Sequence, residues 1–188
     1  MKDYINLPSG YKEVFKIDLL NNRKMFVIVN VINTVIAAIM FVAGLFFQPE
    51  GADFKLIHAI VMSIGMWVYI ILHELVHGIF MKKFSGQKPK YGWKVIYAYA
   101  GSDAYFCKSH YMIIAMAPVV VWGIVLGILN LFVSPGWFWT VYAIQILNIS
   151  GAAGDFYVTN LMTKMPEDTL TQDTGTDMTL YSAKEISI

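Results

Sequence analysis

Four stretches of the chain are apolar for about twenty or more positions, at residues 25–47, 56–80, 111–133 and 137–162. About twenty predominantly apolar residues suffice for a helix to cross a bilayer, so the pattern predicts four transmembrane helices. The connections alternate in character. Between the first two runs only Lys55 is basic, and between the last two Ser134-Pro135-Gly136 makes an uncharged turn. The N-terminal segment carries Lys2, Lys12, Lys16, Arg23 and Lys24, and the long second loop carries Lys82, Lys83, Lys88, Lys90, Lys94 and Lys108. By the positive-inside rule both termini and this loop face the cytoplasm.

The polar segments show a second, shorter period. Residues 93–99, then Gly101-Ser102-Asp103, then 104–107 read as two aromatic-rich strands around a glycine-containing turn. Residues 11–19 alternate polar and apolar, as in a strand or an interfacial segment. The tail from Thr163 is polar and reads as a mobile loop with one short strand near residues 178–182. The expected architecture is an all-α membrane protein of four transmembrane helices with a small cytoplasmic β-hairpin or β-strand element. It divides into a cytoplasmic segment 1–24, a core 25–162 with the loop 81–110, and a polar cytoplasmic tail 163–188.

Composition agrees with a bilayer setting. The 188 residues are 57% hydrophobic and 14% charged, against roughly 25% charged in soluble domains. The net charge of +1 supplies no basic field for nucleic acid. Cys107 is the single cysteine, which excludes an internal disulfide and leaves His, Asp and Glu as candidate metal ligands. The charged first two dozen residues do not resemble a cleavable signal.

Against this background His73-Glu74-Leu75-Val76-His77-Gly78 stands out, with two imidazoles and a carboxylate inside an apolar run. Positions i and i+4 lie about 40° apart around a helix, so His73 and His77 can grip one ion, while Glu74 is turned aside by about 100°. There Glu74 can take a proton from a water held on the ion's open side. Imidazole suits zinc, Zn2+, and zinc-bound water has a pKa lowered to about 7. Ionisable residues cost roughly 2.5–3.5 kcal/mol at the centre of a membrane helix, so three within five positions point to chemistry rather than packing.

A catalytic zinc usually has three protein ligands. Asp155 is the lone charged residue of the fourth apolar stretch and lies nine positions before Lys164, just as His73 lies nine before Lys82. At 1.5 Å per residue both sit roughly 13 Å from the cytoplasmic boundary, which makes Asp155 the candidate third ligand. The small residues from Ser150 to Gly154 allow close helix approach or a local break. Asn148 could bind a substrate backbone or oxyanion, or bond between helices. His58 is about 22 Å of helix from His73 and reads as interfacial. His110 stands at the cytoplasmic mouth of the third helix and could approach the site if the loop folds inward. Pro118 fits a routine membrane-helix proline, and Asn30 and Asn33 read as packing contacts.

With HELVHG in one membrane helix and an aspartate late in another, the chain resembles the site-2-protease class of intramembrane zinc metallopeptidases. Its layout is more closely similar to a bacterial family of small zincin peptidases: a Gly-Tyr near the start, HELVHG in the second helix, Ala117-Pro118 in the third, and the run from Asn148 to Asp155. The resemblance implies His73, His77 and Asp155 as metal ligands and Glu74 as general base. The larger class carries a glycine and a proline-containing stretch after its ligand aspartate, where this chain has Phe156 and no proline nearby.

The expected function is hydrolysis of peptide bonds in membrane-protein or peptide substrates near the cytoplasmic leaflet, with Glu74 activating a zinc-bound water. The expected location is a cell membrane, multi-pass within the lipid bilayer. Two alternatives use the same motif: a zinc-dependent hydrolase of a lipid or other amphiphile, and a non-catalytic metal-binding membrane protein.

Overall fold

A computed structural model describes residues 2–17, 22–94 and 97–184. The fold is mostly helical, with β-strands gathered in the polar segments. Three helices are long and apolar enough to cross a membrane: α1 (Arg23–Phe47), α2 (Leu56–Ser85) and α3 (Lys108–Phe132). Side chains such as Phe46, Phe47, Leu56 and Phe132 stand exposed on them, as expected where the surroundings are lipid rather than water.

Local chemistry sets the helix ends. Asn22 caps α1 by accepting the Met25 amide at 3.1 Å. Helix α2 stops at Gly86, whose φ of +70° is a conformation glycine adopts without strain, with Lys82 and Lys83 in its last turn.

The fourth apolar stretch differs from the single helix its hydropathy suggests. After one 3-10 turn (Pro135–Trp137) it forms α4 (Phe138–Gly151) and α5 (Ala153–Lys164), separated at Ala152 with φ −79° and ψ 16°. Two glycines and a serine among residues 150–154 weaken helix continuity there. Neither piece alone has the length of a membrane span.

The β structure also exceeds one hairpin. Strand β1 (Lys12–Ile17), β4 (Tyr105–Cys107), β5 (Leu170–Asp173) and β6 (Met178–Ser182) make an antiparallel sheet in the order β1-β6-β5-β4. Strand β2 (Lys90–Lys94) pairs with β3 (Tyr97–Gly101). The aromatic run 93–99 is therefore divided between two strands, with residues 95 and 96 outside the described residues, and 104–107 pairs with the tail. The alternation at 11–19 is β1 as far as Ile17, and residues 18 and 19 lie outside the described residues. Among the described residues the tail carries two strands instead of one: β6 at the expected 178–182, and β5, which lies inside the sheet.

The chain comprises two compact units. In the first (residues 1–26, 74–117 and 155–188) a core of Ile17, Met81, Phe106, Tyr111, Ile114, Met162 and Leu180 lies beneath the four-stranded sheet. In the second (27–73 and 118–154) the Tyr142 hydroxyl donates to the Met40 carbonyl, and Trp122 Nε1 donates to the Leu72 carbonyl. The boundary between His73 and Glu74 passes through the unbroken helix α2, so His73 keeps its helical place one turn before His77.

Candidate metal centre

His73, His77 and Asp155 each offer a ligand atom, and these atoms lie within 4.8 Å of one another. His77 Nε2 is 3.6 Å from Asp155 Oδ1. Around a tetrahedral zinc with bonds of about 2.0–2.2 Å, two ligand atoms lie roughly 3.3 Å apart, so this pair needs only a small adjustment to share an ion. The break at Ala152 matters here. It places Asp155 in the first turn of α5, where the positive end of the helix dipole favours an anionic side chain.

Each imidazole is oriented from its far side. His77 Nδ1 lies 2.9 Å from the Ile114 carbonyl, which can only accept, so Nδ1 carries the proton. Ile114 is four residues before Pro118, which has no N–H to return to that carbonyl. The proline thus leaves a backbone acceptor inside α3 for His77. His73 Nδ1 lies 2.8 Å from the Tyr69 hydroxyl, and Tyr69 donates its own proton to Asn148 Oδ1 at 2.7 Å. Tyr69 must then accept from His73 Nδ1–H. In both rings Nε2 becomes the nitrogen for an ion, the arrangement in which metal-binding histidines are usually held.

Asn148 is fully buried, and its Nδ2 donates to the Val119 carbonyl at 3.2 Å. Each end of the amide is engaged, and through Oδ1 it reaches the site by way of Tyr69. Glu74 is on α2 beside His73, and its Oε2 accepts the Ala100 amide of β3 at 2.8 Å. One turn further along α2, the Tyr91 ring lies over Gly78, in space that any side chain there would need. Tyr91 and Ala100 are cross-strand partners, so the β2-β3 pair meets the Glu74–Gly78 stripe of α2 with one residue from each strand.

His58 and His110 are not among these ligand atoms. His58 Nδ1 accepts the Lys55 amide at 3.1 Å, and His110 pairs with Asp3 at 2.6 Å. Sequence reasoning does not single out Tyr69, Ala100 or Tyr91. A tyrosine four positions before a ligand histidine is a local signal that could have found the first. The other two depend on strand pairing. It also passes over Asp173, which accepts from the Tyr111 hydroxyl at 2.5 Å and from the Gly175 amide at 2.8 Å. Burial raises the Asp173 carboxyl above its usual range despite these donors.

Two neutral imidazoles and a carboxylate make a borderline-hard donor set that fits zinc, with one coordination position left for water or substrate. The chain is 30% identical over 129 residues to a protein of Pyrococcus woesei described as "Uncharacterized 24.7 kDa protein in gap 5'region". That match covers 65% of this chain and 54% of the relative, so the chain spans about half the length of the curated relative it matches. No solved structure matches it. A family profile described as "Putative zincin peptidase" matches residues 66–170, more than half of the chain and inclusive of His73, Glu74, His77 and Asp155, and the chain belongs to that family.

Proposed function

We propose that this zincin-family chain is an intramembrane zinc metallopeptidase of the site-2-protease kind, which hydrolyses peptide bonds of membrane-associated substrates near the cytoplasmic leaflet. The observation that carries the reading is the convergence of His73, His77 and Asp155 beside Glu74, with both imidazoles and the glutamate on α2, a helix long and apolar enough for a bilayer. The lysine distribution supports cytoplasmic termini. In this reading α4 and α5 together make a fourth crossing in a cell membrane.

Bound zinc would polarise the scissile carbonyl and lower the pKa of water to about 7. His73 and His77 hold their rings to the ion through the Tyr69 and Ile114 contacts. Glu74 takes the proton of the attacking water and delivers it to the leaving nitrogen. The Ala100 amide keeps one Glu74 oxygen engaged and leaves the other for that transfer. Because the Ala100 N–H points to Glu74, the β3 edge that carries it runs beside the base. An unwound substrate segment laid along that edge would bring its carbonyls to the site, as in β-strand addition.

Glu74→Gln tests the base. Purified protein is offered unfolded membrane segments and, in parallel, lipid esters. The expected result is peptide cleavage by the wild type alone, with zinc content equal in both proteins. Cleavage retained by Glu74→Gln rejects the base assignment, and turnover of esters without peptides rejects the peptidase reading.

A further inference from the structure

The N-terminal segment and the start of α3 form a second cluster of ligand-type side chains. An antiparallel bridge between Tyr4 and Tyr105 (amide to carbonyl 2.9 and 2.8 Å) lays the first residues beside β4. Asp3 is thereby placed against the helix start. Its Oδ1 accepts the Cys107 amide at 2.8 Å, and its Oδ2 lies 2.6 Å from His110 Nδ1. The Cys107 Sγ is 3.5 Å from the Ser109 hydroxyl. The ligand atoms of Asp3, Cys107 and His110 lie within 4.8 Å of one another.

An aspartate–histidine pair at a helix start explains two of these residues but not the thiol gathered in with them. Cys107 is wholly buried, the Asp3 side chain is 7% exposed, and His110 is 32% exposed, with its ring stacked on Phe84 at 4.1 Å. The interior is therefore shut on the sulfur and carboxylate side and open to water on the imidazole side. A carboxylate and a thiolate together neutralise a divalent cation, which removes the main cost of holding charge in a buried place. Sulfur with imidazole favours zinc over magnesium or calcium.

We propose that Asp3, Cys107 and His110 form a second site, for one zinc-like divalent cation, with water completing the coordination. On binding, the Cys107 thiol releases its proton to solvent, and the His110 proton moves from Nδ1 to Nε2, so that Nδ1 becomes the ligand. The Asp3–His110 contact opens from 2.6 Å to roughly 3.3 Å, the spacing of two ligands on tetrahedral zinc. The ion would fasten the first residues of the chain to the start of α3. This site shares no residue with the His73, His77 and Asp155 cluster and stands whether or not the peptidase reading does.

Sulfur separates the two sites experimentally. The full-length protein in detergent is loaded with Zn2+ for metal analysis and with Co2+ for absorption spectroscopy. The wild type should hold about two zinc ions per chain, and both Cys107→Ser and a His73→Gln/His77→Gln double variant about one. With cobalt, the sulfur-to-metal charge-transfer band should persist in the double variant and vanish in Cys107→Ser. Asp3→Asn and His110→Gln retain the thiol and should each weaken the affinity read from that band tenfold or more. A double variant that binds no zinc and shows no band overturns the proposal. So does a band whose affinity is unchanged by Asp3→Asn and His110→Gln, since that would be a bare thiol.

Discussion

His77 donates its Nδ1 proton at 2.9 Å to the carbonyl of Ile114, the backbone acceptor that Pro118 leaves without its helical partner. A helix defect on α3 thus orients a candidate ligand on α2. Pro118→Ala would return an N–H to that carbonyl and set it in competition with the imidazole. Zinc affinity, measured by competition with a chelating dye, should fall by up to about tenfold, at or below the low end of what loss of such a partner costs. Metal-free thermal stability should hold or rise, because the interior proline is gone. Unchanged affinity would mean that the Ile114 contact does not orient the ring.

The Tyr69 hydroxyl does the corresponding work for His73, with Asn148 fixing its direction. Tyr69→Phe keeps the ring and removes the acceptor, so zinc binding should weaken about 10–100-fold. Asn148→Ala should have a smaller effect in the same direction, because it acts one bond further out. Titration of the two variants checks the order. An effect of Asn148→Ala that exceeds Tyr69→Phe would contradict the relay.

Gly78 has no room for a side chain because the Tyr91 ring occupies it. Gly78→Ala must push aside the outer end of the half-exposed Tyr91 ring, so it should destabilise the protein by about 1 kcal/mol, the low end of the range for overpacking. Tyr91→Ala in the same chain should recover most of the loss. Thermal unfolding of both variants tests this, and a Gly78→Ala protein as stable as wild type would show that the strand pair does not rest on α2 there.

Asp173 provides a pH dependence with a definite sign. Its folded-state carboxyl is raised, chiefly by burial. Between the unfolded value of about 3.9 and the raised folded value, the native state binds more protons. Stability from this group is therefore present at low pH and lost as pH rises through the folded value. Asp173→Asn removes this titration and keeps an oxygen for one of the two donors, Tyr111 or Gly175, a loss that is the same at both pH values. The variant's melting temperature relative to wild type should be higher at neutral pH than near pH 4. An equal difference at both would remove Asp173 as the source.

The spans α1 to α3 and the convergence of His73, His77 and Asp155 are legible in the sequence, because each rests on a local period or a count along a helix. Counting back from Lys82 and Lys164 singles out His73 and Asp155 together even though the fourth apolar stretch is broken at Ala152. Strand β5 is not legible. Leu170 and Thr171 are adjacent and both buried, so no alternation marks them, and Phe106 finds Thr171 far along the chain. Tyr91 and Ala100 escape notice for the same reason, since strand register decides what they touch. Pro118 is visible as a residue, but its use depends on which side chain meets the carbonyl it leaves behind.

Anomalous diffraction at the zinc edge, from crystals of the zinc-loaded protein, tests the metal clasp most directly. One peak should lie within about 2.0–2.2 Å of a nitrogen of His73, a nitrogen of His77 and a carboxylate oxygen of Asp155. A protein that binds zinc with no peak there, or with Asp155 turned away from both imidazoles, would contradict it.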